Sequence, residues 1–237
     1  MSDDFLDLLA GGDVEVLGLL PYSSNYTFLA RVTRGDEQVH AVYKPKRGER
    51  PLWDFPHGTL AAREVAAYLV ARAAGWPIVP PTVLRDDAPM GEGSLQLFIG
   101  HDPDRHYFVL MEERADELRT FAAFDAVINN ADRKGGHVIE DRDARLWAVD
   151  HGVSFHVEPK LRTVIWSYAE EPLGDDLRER LEVLGAALSE PGELQDELSQ
   201  LLSPEEVEAT LERVAGLLVE DRFPAPPADR PLPWPLI

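Results

Sequence analysis

Hydrophobic and polar positions along this chain follow two different periods. In the first half they alternate in three short runs, Val14 to Leu20, Thr27 to Thr33 and Gln38 to Lys44, each the length of a strand. Two polar turns separate them, Pro21-Tyr22-Ser23-Ser24-Asn25-Tyr26 and Arg34-Gly35-Asp36-Glu37. The pattern predicts three consecutive antiparallel strands. Ahead of them Ser2 can cap a short helix carrying Phe5, Leu6, Leu8 and Leu9, which Gly11-Gly12 would end. Helical spacing runs from about Gly58 to Ala74, with Leu60, Val65, Tyr68 and Leu69 on the buried face, until Gly75-Trp76-Pro77 stops it. Pro81 to Asp86 and Ser94 to Ile99 read as two further strands.

Gly100 to Arg105 reads as a polar connector and the expected lobe boundary. The half beyond it is more helical. Its first strong helix spans roughly Asp116 to Asn129, followed by short strands at His137 to Glu140 and Arg145 to Val149. Trp166 to Leu173 reads as a loop or frayed helix. Acidic amphipathic helices are expected near Gly174–Leu188, Glu193–Leu202 and Pro204–Glu220, the last opening on Ser203-Pro204-Glu205-Glu206 with Ser at the cap and Pro at the first helical position. After Phe223 six prolines precede Ile237, which reads as an extended strap over the body anchored by Trp234, Leu236 and Ile237. The expected division is an N-lobe at 1–100, a C-lobe at 101–223 and a Pro-rich tail at 224–237, an α+β chain overall.

Composition narrows the partners. A length of 237 residues with 44% hydrophobic content supports a real core. The net charge of −20 repels nucleic-acid phosphates and anionic lipid headgroups, so no nucleic-acid partner is expected and membrane association is disfavoured. No apolar run approaches the roughly 18 residues of a bilayer span, and the acidic start lacks the basic region of a secretory signal. The cytoplasm is the expected compartment. With no cysteine, disulfides and thiolate metal sites are excluded. Only four lysines stand against nineteen arginines, and two of them, Lys44 and Lys134, fall in the stretches that carry chemistry.

Those stretches form a parts list for phosphoryl transfer: a Lys on an antiparallel strand, a Glu on the next helix, then acidic positions flanking a polar residue. Lys44 would contact the α- and β-phosphates of ATP and Glu64 would hold it in place. Asp132 would orient or deprotonate the acceptor hydroxyl. Asp150 would bind Mg²⁺, and His137 stands where a second metal ligand is wanted. The turn at Ser23, Ser24 and Asn25 offers hydroxyls and backbone N–H groups to phosphates in place of a Gly-rich loop. Arg133 reads as structural, bridging to the metal-motif segment or a backbone carbonyl. Taken singly, each residue also reads as an ordinary strand-end, turn or hairpin-end residue; order and spacing make the case.

Asp132-Arg133-x-x-x-His137 resembles the D-R-x-x-x-N catalytic loop of the kinase superfamily branch holding HipA-type kinases and the phosphatidylinositol 3- and 4-kinases. Asp150-His151-Gly152 resembles its D-x-G metal motif, and Val42-Tyr43-Lys44-Pro45 the strand bearing its nucleotide lysine. More narrowly, with Arg50-Pro51-Leu52-Trp53-Asp54-Phe55-Pro56, the chain looks like a small actinobacterial, phosphatidylinositol-kinase-like family of the SCO1664 type. The resemblance covers about residues 13–173. It implies a bilobal kinase-like fold with ATP between the lobes, the adenine against Gln96, Leu97, Phe98 and Ile99, and a hydroxyl-bearing acceptor on a protein or small cytosolic molecule. His137 departs from the pattern: imidazole suits Mn²⁺ better than Mg²⁺. A nucleotide-binding pseudokinase or scaffold and a lipid kinase are the alternatives; AMP transfer is open as well.

Overall fold

The computed structural model describes residues 2–21 and 25–237, with residues 2–4 described by their backbone alone. The expected phosphate turn residues Ser23 and Ser24 lie outside the described residues. A first helix, α1 (Ser2–Gly11), leads into β1 (Asp13–Leu19), β2 (Phe28–Arg34) and β3 (Glu37–Pro45). Helix α2 (Leu60–Ala73) follows, then β4 (Thr82–Arg85) and β5 (Gly93–Leu97). The five strands form one antiparallel sheet in the order β1-β2-β3-β5-β4.

Strand alternation decides which face of this sheet does what. Ala30, Val32, Ala41, Tyr43 and Leu95 are buried together with Leu8 and Leu9 of α1, a small core on one face. Gly12 permits the close approach: a Cβ there would lie 2.6 Å from Val32 and 2.8 Å from the Leu8 carbonyl. The opposite face carries Val42, Lys44, Ser94 and Gln96, because Val42 pairs with Gln96 and Lys44 with Ser94. Helix α2 is buried nearly all round, including Arg63 and Glu64, since it packs between this sheet and the helical half.

The second half holds β6 (His101–His106), α3 (Tyr107–Glu113), α4 (Ala115–Ile128), β7 (Val138–Asp141) and β8 (Leu146–Ala148). Helices α5 (Asp175–Ser189), α6 (Glu193–Ser199) and α7 (Pro204–Glu220) close it. Most of the expected polar connector, Gly100 to Arg105, instead lies in β6, a strand of a second antiparallel sheet of order β6-β7-β8. Its exposed, charged side chains mask it from an alternation reading, and its pairing with β7 is irregular between His101 and His106. The expected start of β7 at His137 is instead the end of a tight 3-10 turn, Gly135–His137. The Ser203 capping box forms as expected, with the Glu206 N–H donating to Ser203 Oγ and the Ser203 N–H to Glu206 Oε2 at 3.0 Å.

The main core joins α2, α4 and the leucine stripe Leu177, Leu181, Leu184 and Leu188 of α5. The Pro-rich tail does lie on the body, but its expected anchors Trp234, Leu236 and Ile237 are all exposed, and the buried residue is Pro233. Among the described residues no helix is long and apolar enough to cross a membrane.

Candidate active site

Three separate elements converge on the Lys44 ammonium. Strand β3 delivers Lys44, whose Nζ donates to Glu64 Oε1 from α2 and, at 2.8 Å, to Asp150 Oδ1 just after β8. Burial disfavours the Lys44 charge, but the Asp150 and Glu64 carboxylates outweigh it and push its pKa up. Glu64 is fixed from its other side, accepting the backbone N–H groups of His151 at 3.0 Å and Gly152 at 3.1 Å. Burial raises its pKa, with the Lys44 charge opposing. Burial also acts to raise that of Asp150, yet Lys44 and then His137 hold its carboxyl well below the usual range. Glu64 is therefore the partner of Lys44, and it ties the D-H-G segment to the first lobe.

The catalytic-loop candidate hangs from α4. Asn129 ends that helix in the left-handed conformation (φ 52°), and its side chain bonds the carbonyls of His156 and Glu158 and the Lys160 N–H. Arg133 is fully buried and fork-bonded to Asp125, with Nε and its terminal nitrogen 3.0 and 2.9 Å from Oδ1. It also donates to the Val149 carbonyl at 2.8 Å, one residue before Asp150. Asn130 Nδ2 and Thr163 Oγ1 complete the ring around Asp125, each at 3.0 Å. This fixes the backbone on both sides of Asp132.

Asp132 itself faces outward, 2.6 Å from Lys134 Nζ. Burial raises its pKa against the pull of Lys134, and the Asp150 charge adds to the rise, so the two aspartates sense each other. A partly buried carboxylate of raised basicity can take a proton, and the lysine beside it can steady a transferring anion.

His137 Nε2 stands 3.3 Å from Asp150 Oδ2. Burial holds its pKa down to about 4, so the ring is neutral at ordinary pH. The Lys134 N–H donates to Nδ1 at 3.4 Å, which assigns the ring proton to Nε2, facing Asp150. In that tautomer His137 donates to Asp150 and offers no lone pair toward it. Asp150 fits a hard divalent cation such as Mg²⁺ or Mn²⁺; the imidazole fits one only after its proton moves to Nδ1 and the Lys134 bond is lost. Among the described residues no group of three or more His, Asp or Glu side chains could hold a metal, so the remaining ligands would be phosphate oxygens and water.

The nucleotide-face expectations divide. Asn25 Oδ1 accepts the Arg50 N–H at 2.9 Å, which ties the turn to the 50–58 loop. Gln96 is on the Lys44 face, but its amide is buried and donates to Thr82 Oγ1 at 2.9 Å. Leu97 packs against the small core under α1, on the face away from Lys44. Phe98 is exposed with its N–H on the His40 carbonyl, and the Ile99 carbonyl accepts from His101 Nδ1. Alternation, applied from Lys44, puts the half-buried Val42 on the cleft face in their place.

Sequence reasoning missed Asp125, Arg63 and Glu206. Arg63 is 1% exposed and bonds the Ser154 carbonyl at 2.7 Å and Glu206 at 2.6 Å. The available signal was a charge embedded in an apolar helix, as in Phe121-Ala122-Ala123-Phe124-Asp125-Ala126-Val127-Ile128, since such a charge must find a partner inside.

No protein-family model matches the chain. Protein Rv2133c of Mycobacterium tuberculosis is 40% identical over an alignment of 270 positions, covering 99% of this chain and 96% of that protein. Phosphatidylinositol 4-kinase gamma 4 of Oryza sativa subsp. japonica is 30% identical over an alignment of 152 positions, covering 55% of this chain and 26% of that protein. Among solved structures, the Golgi casein kinase is similar with a TM-score of 0.55 at 15% identity, over 94% of this chain and 79% of that one. At that identity the likeness speaks for the fold alone, a small antiparallel-sheet lobe on a helical lobe. Carrying this kinase-like fold, the chain belongs to the family of Protein Rv2133c.

Proposed function

We propose that the protein is an ATP-dependent phosphotransferase that moves the γ-phosphate to a hydroxyl group of a protein or small cytosolic molecule. The observation that carries this reading is the meeting of Lys44, Glu64 and Asp150, from three elements, at one ammonium. A structural lysine has no need of two carboxylates, and the second becomes free to face a cation once phosphates reach Lys44. We place the chain in the branch with the phosphatidylinositol 3- and 4-kinases and the HipA-type kinases, in the SCO1664-type family, on its D-R-x-x-x-H and D-H-G stretches.

In this reading Lys44, steadied by Glu64, holds the α- and β-phosphates, with Val42 and the turn at Asn25 near the nucleotide. A divalent cation on Asp150 would neutralise charge on the phosphates. Asp132 receives the acceptor hydroxyl proton as the phosphoryl group passes, and Lys134 lies beside it to meet the transferred charge. Arg133 and Asp125 fix the loop so that Asp132 and Asp150 keep their spacing.

The test is transfer from γ-labelled ATP with Mg²⁺ or Mn²⁺, with nucleotide binding followed in parallel. Asp132→Asn and Asp150→Asn are each expected to abolish labelling and ATP turnover, with Asp132→Asn still binding nucleotide. Turnover unchanged in Asp132→Asn would sink the proposal. A second reading, a nucleotide-binding pseudokinase, is favoured by one observation, the His137 proton directed at Asp150. Nucleotide bound with no turnover under either metal would select it. The likeness to a phosphatidylinositol 4-kinase gives a lipid acceptor some weight, but the −20 charge opposes approach to an anionic surface. Sedimentation with phosphatidylinositol vesicles separates the two.

A further inference from the structure

The Pro-rich segment lies against the loop that carries Asp132. The Thr163 N–H and Trp166 Nε1 both donate to the Pro231 carbonyl, at 3.1 and 2.9 Å. Five residues on, the Leu236 carbonyl accepts the Gly135 N–H at 2.7 Å. These anchor points belong to one surface, because Thr163 forms a parallel bridge with Arg133. Gly135 follows Asp132 by three positions. A Cβ on Gly135 would lie 2.8 Å from the Phe108 ring and 3.4 Å from the Leu236 carbonyl, and one on Gly136 would lie 3.8 Å from Ile237. The two glycines are thus a floor on which a chain can lie close.

The way the segment is held says that it can leave. Trp234 is 87% exposed, Ile237 61% and Leu232 47%. A strap serving the core would bury such side chains; this one is held at these points through its backbone carbonyls. Prolines keep it extended beforehand, so little entropy is lost when it lies down. Residues 224–237 also contain no Ser, Thr or Tyr, so nothing in the segment can accept a phosphoryl group.

We propose that the strip formed by Phe108, Gly135-Gly136 and Thr163–Trp166 is the docking groove for an extended, apolar, proline-containing polypeptide acceptor, and that residues 231–237 are its unreactive internal occupant. This rests on the phosphotransferase reading and narrows its acceptor to a protein hydroxyl. In the reaction the serine Oγ of a docked polypeptide bonds to the γ-phosphorus, the bond from that phosphorus to the ADP oxygen breaks, and the hydroxyl proton passes to Asp132. An internal occupant raises the apparent KM for the polypeptide by the reciprocal of the fraction of time the groove is free, about tenfold for a segment seated nine times in ten.

The experiment compares the full chain with a full-length Pro233→Asp/Leu236→Asp variant. The probes are synthetic peptides of residues 230–237 bearing Leu232→Ser, Trp234→Ser or Leu236→Ser. Hydrogen exchange at Gly135 and Thr163 reports the seating directly: both amides are expected to be protected in the parent chain, exposed in the variant, and protected again when the unsubstituted 230–237 peptide is added. The variant is expected to phosphorylate at least one serine peptide with a KM about tenfold below that of the parent, at similar kcat and similar KM for ATP. The unsubstituted peptide should inhibit competitively with it. Fast exchange at both amides in the parent, or no renewed protection by the peptide, overturns the proposal. So does refusal of all three serine peptides by a variant that retains Asp132-dependent ATP turnover. Absence of any Asp132-dependent ATP chemistry is the separate failure of the phosphotransferase reading, and exchange then still decides whether the groove takes the peptide.

Discussion

Asp132 carries a cost that its proposed role as a base would explain. Its carboxyl is partly buried, and burial lifts its pKa above the usual range despite Lys134 at 2.6 Å. For a carboxylate the ordinary stabilising shift is downward; here the folded pKa is raised, so the ionised form costs stability at neutral pH and the cost fades as pH falls through the folded pKa. The proposed activity would run the other way, because a base must be ionised to accept a proton. Transfer should therefore be present above the raised pKa and lost below it, at a higher pH than an exposed aspartate would give. Asp132→Asn should lower transfer by about 10²- to 10⁴-fold while leaving the melting temperature equal or higher, which a thermal melt beside the assay will show. A large drop in melting temperature would mean that Asp132 is a structural turn residue. His137 gives the second test at this scale. Because its Nε2 proton faces Asp150, an amide oxygen in its place should favour Mg²⁺. His137→Asn is expected to raise the ratio of Mg²⁺- to Mn²⁺-supported activity by about 10- to 100-fold, the usual reach of such neighbours on a metal.

At the scale of elements, α4 and the loop after it form one unit built round a buried charge. Asp125 accepts from Arg133, Asn130 and Thr163, so the helix, the catalytic-loop candidate and the segment after the D-H-G motif share one carboxylate. Removing one partner strands the other in the interior, which costs about 3–5 kcal/mol. Asp125→Ala should lose that much stability in denaturant unfolding, with exchange at Ala131, Arg133 and Val164 rising first. Little of this was readable beforehand. The strands β1, β2 and β3 and the helices α5 and α7 show their periods because each has one face toward a core, and the Ser203 cap is local chemistry. Strand β6 has no such face: His101 to Arg105 hold no large apolar side chain and are largely exposed, so its pairing depends on β7, some thirty-five residues away. Lys44, Asp132 and Asp150 stood out because phosphoryl transfer demands those residue types in that order. Which way the Gln96 and Leu97 side chains face was not legible, because it is set by pairing with Val42 and Ala41 of β3.

At the scale of the whole molecule, charged contacts join the two lobes beside the apolar core that α2 shares with α4 and α5. Lys44 meets Asp150, Glu64 accepts the N–H groups of His151 and Gly152, and Lys160 pairs with Asp54 at 3.0 Å under the exposed Trp53. Deepest is Arg63, which leaves α2 to reach the Ser154 carbonyl and Glu206 in the capping box of α7. That pair ties the helix bearing Glu64 to the far end of the helical lobe, so the position of Glu64 beneath Lys44 is set by α7 as well as by the sheet. Arg63 also lies 5.1 Å from the Phe55 ring, which adds packing to its charge. Glu206→Gln keeps the shape of the cap and its acceptor oxygen but leaves Arg63 buried without a counter-charge. A loss of about 3–5 kcal/mol is expected, which for a chain of this size lowers the melting temperature by about 10 °C. Because α2 also shares an apolar core with α4 and α5, the sheet and the helices should still melt in one transition, followed by far-ultraviolet dichroism and tryptophan fluorescence together. Two separated transitions in the variant would show that Arg63–Glu206 is what makes the lobes cooperate; an unshifted single transition would show that the Ser154 carbonyl and Phe55 alone suffice to hold Arg63, and with it Glu64, in place.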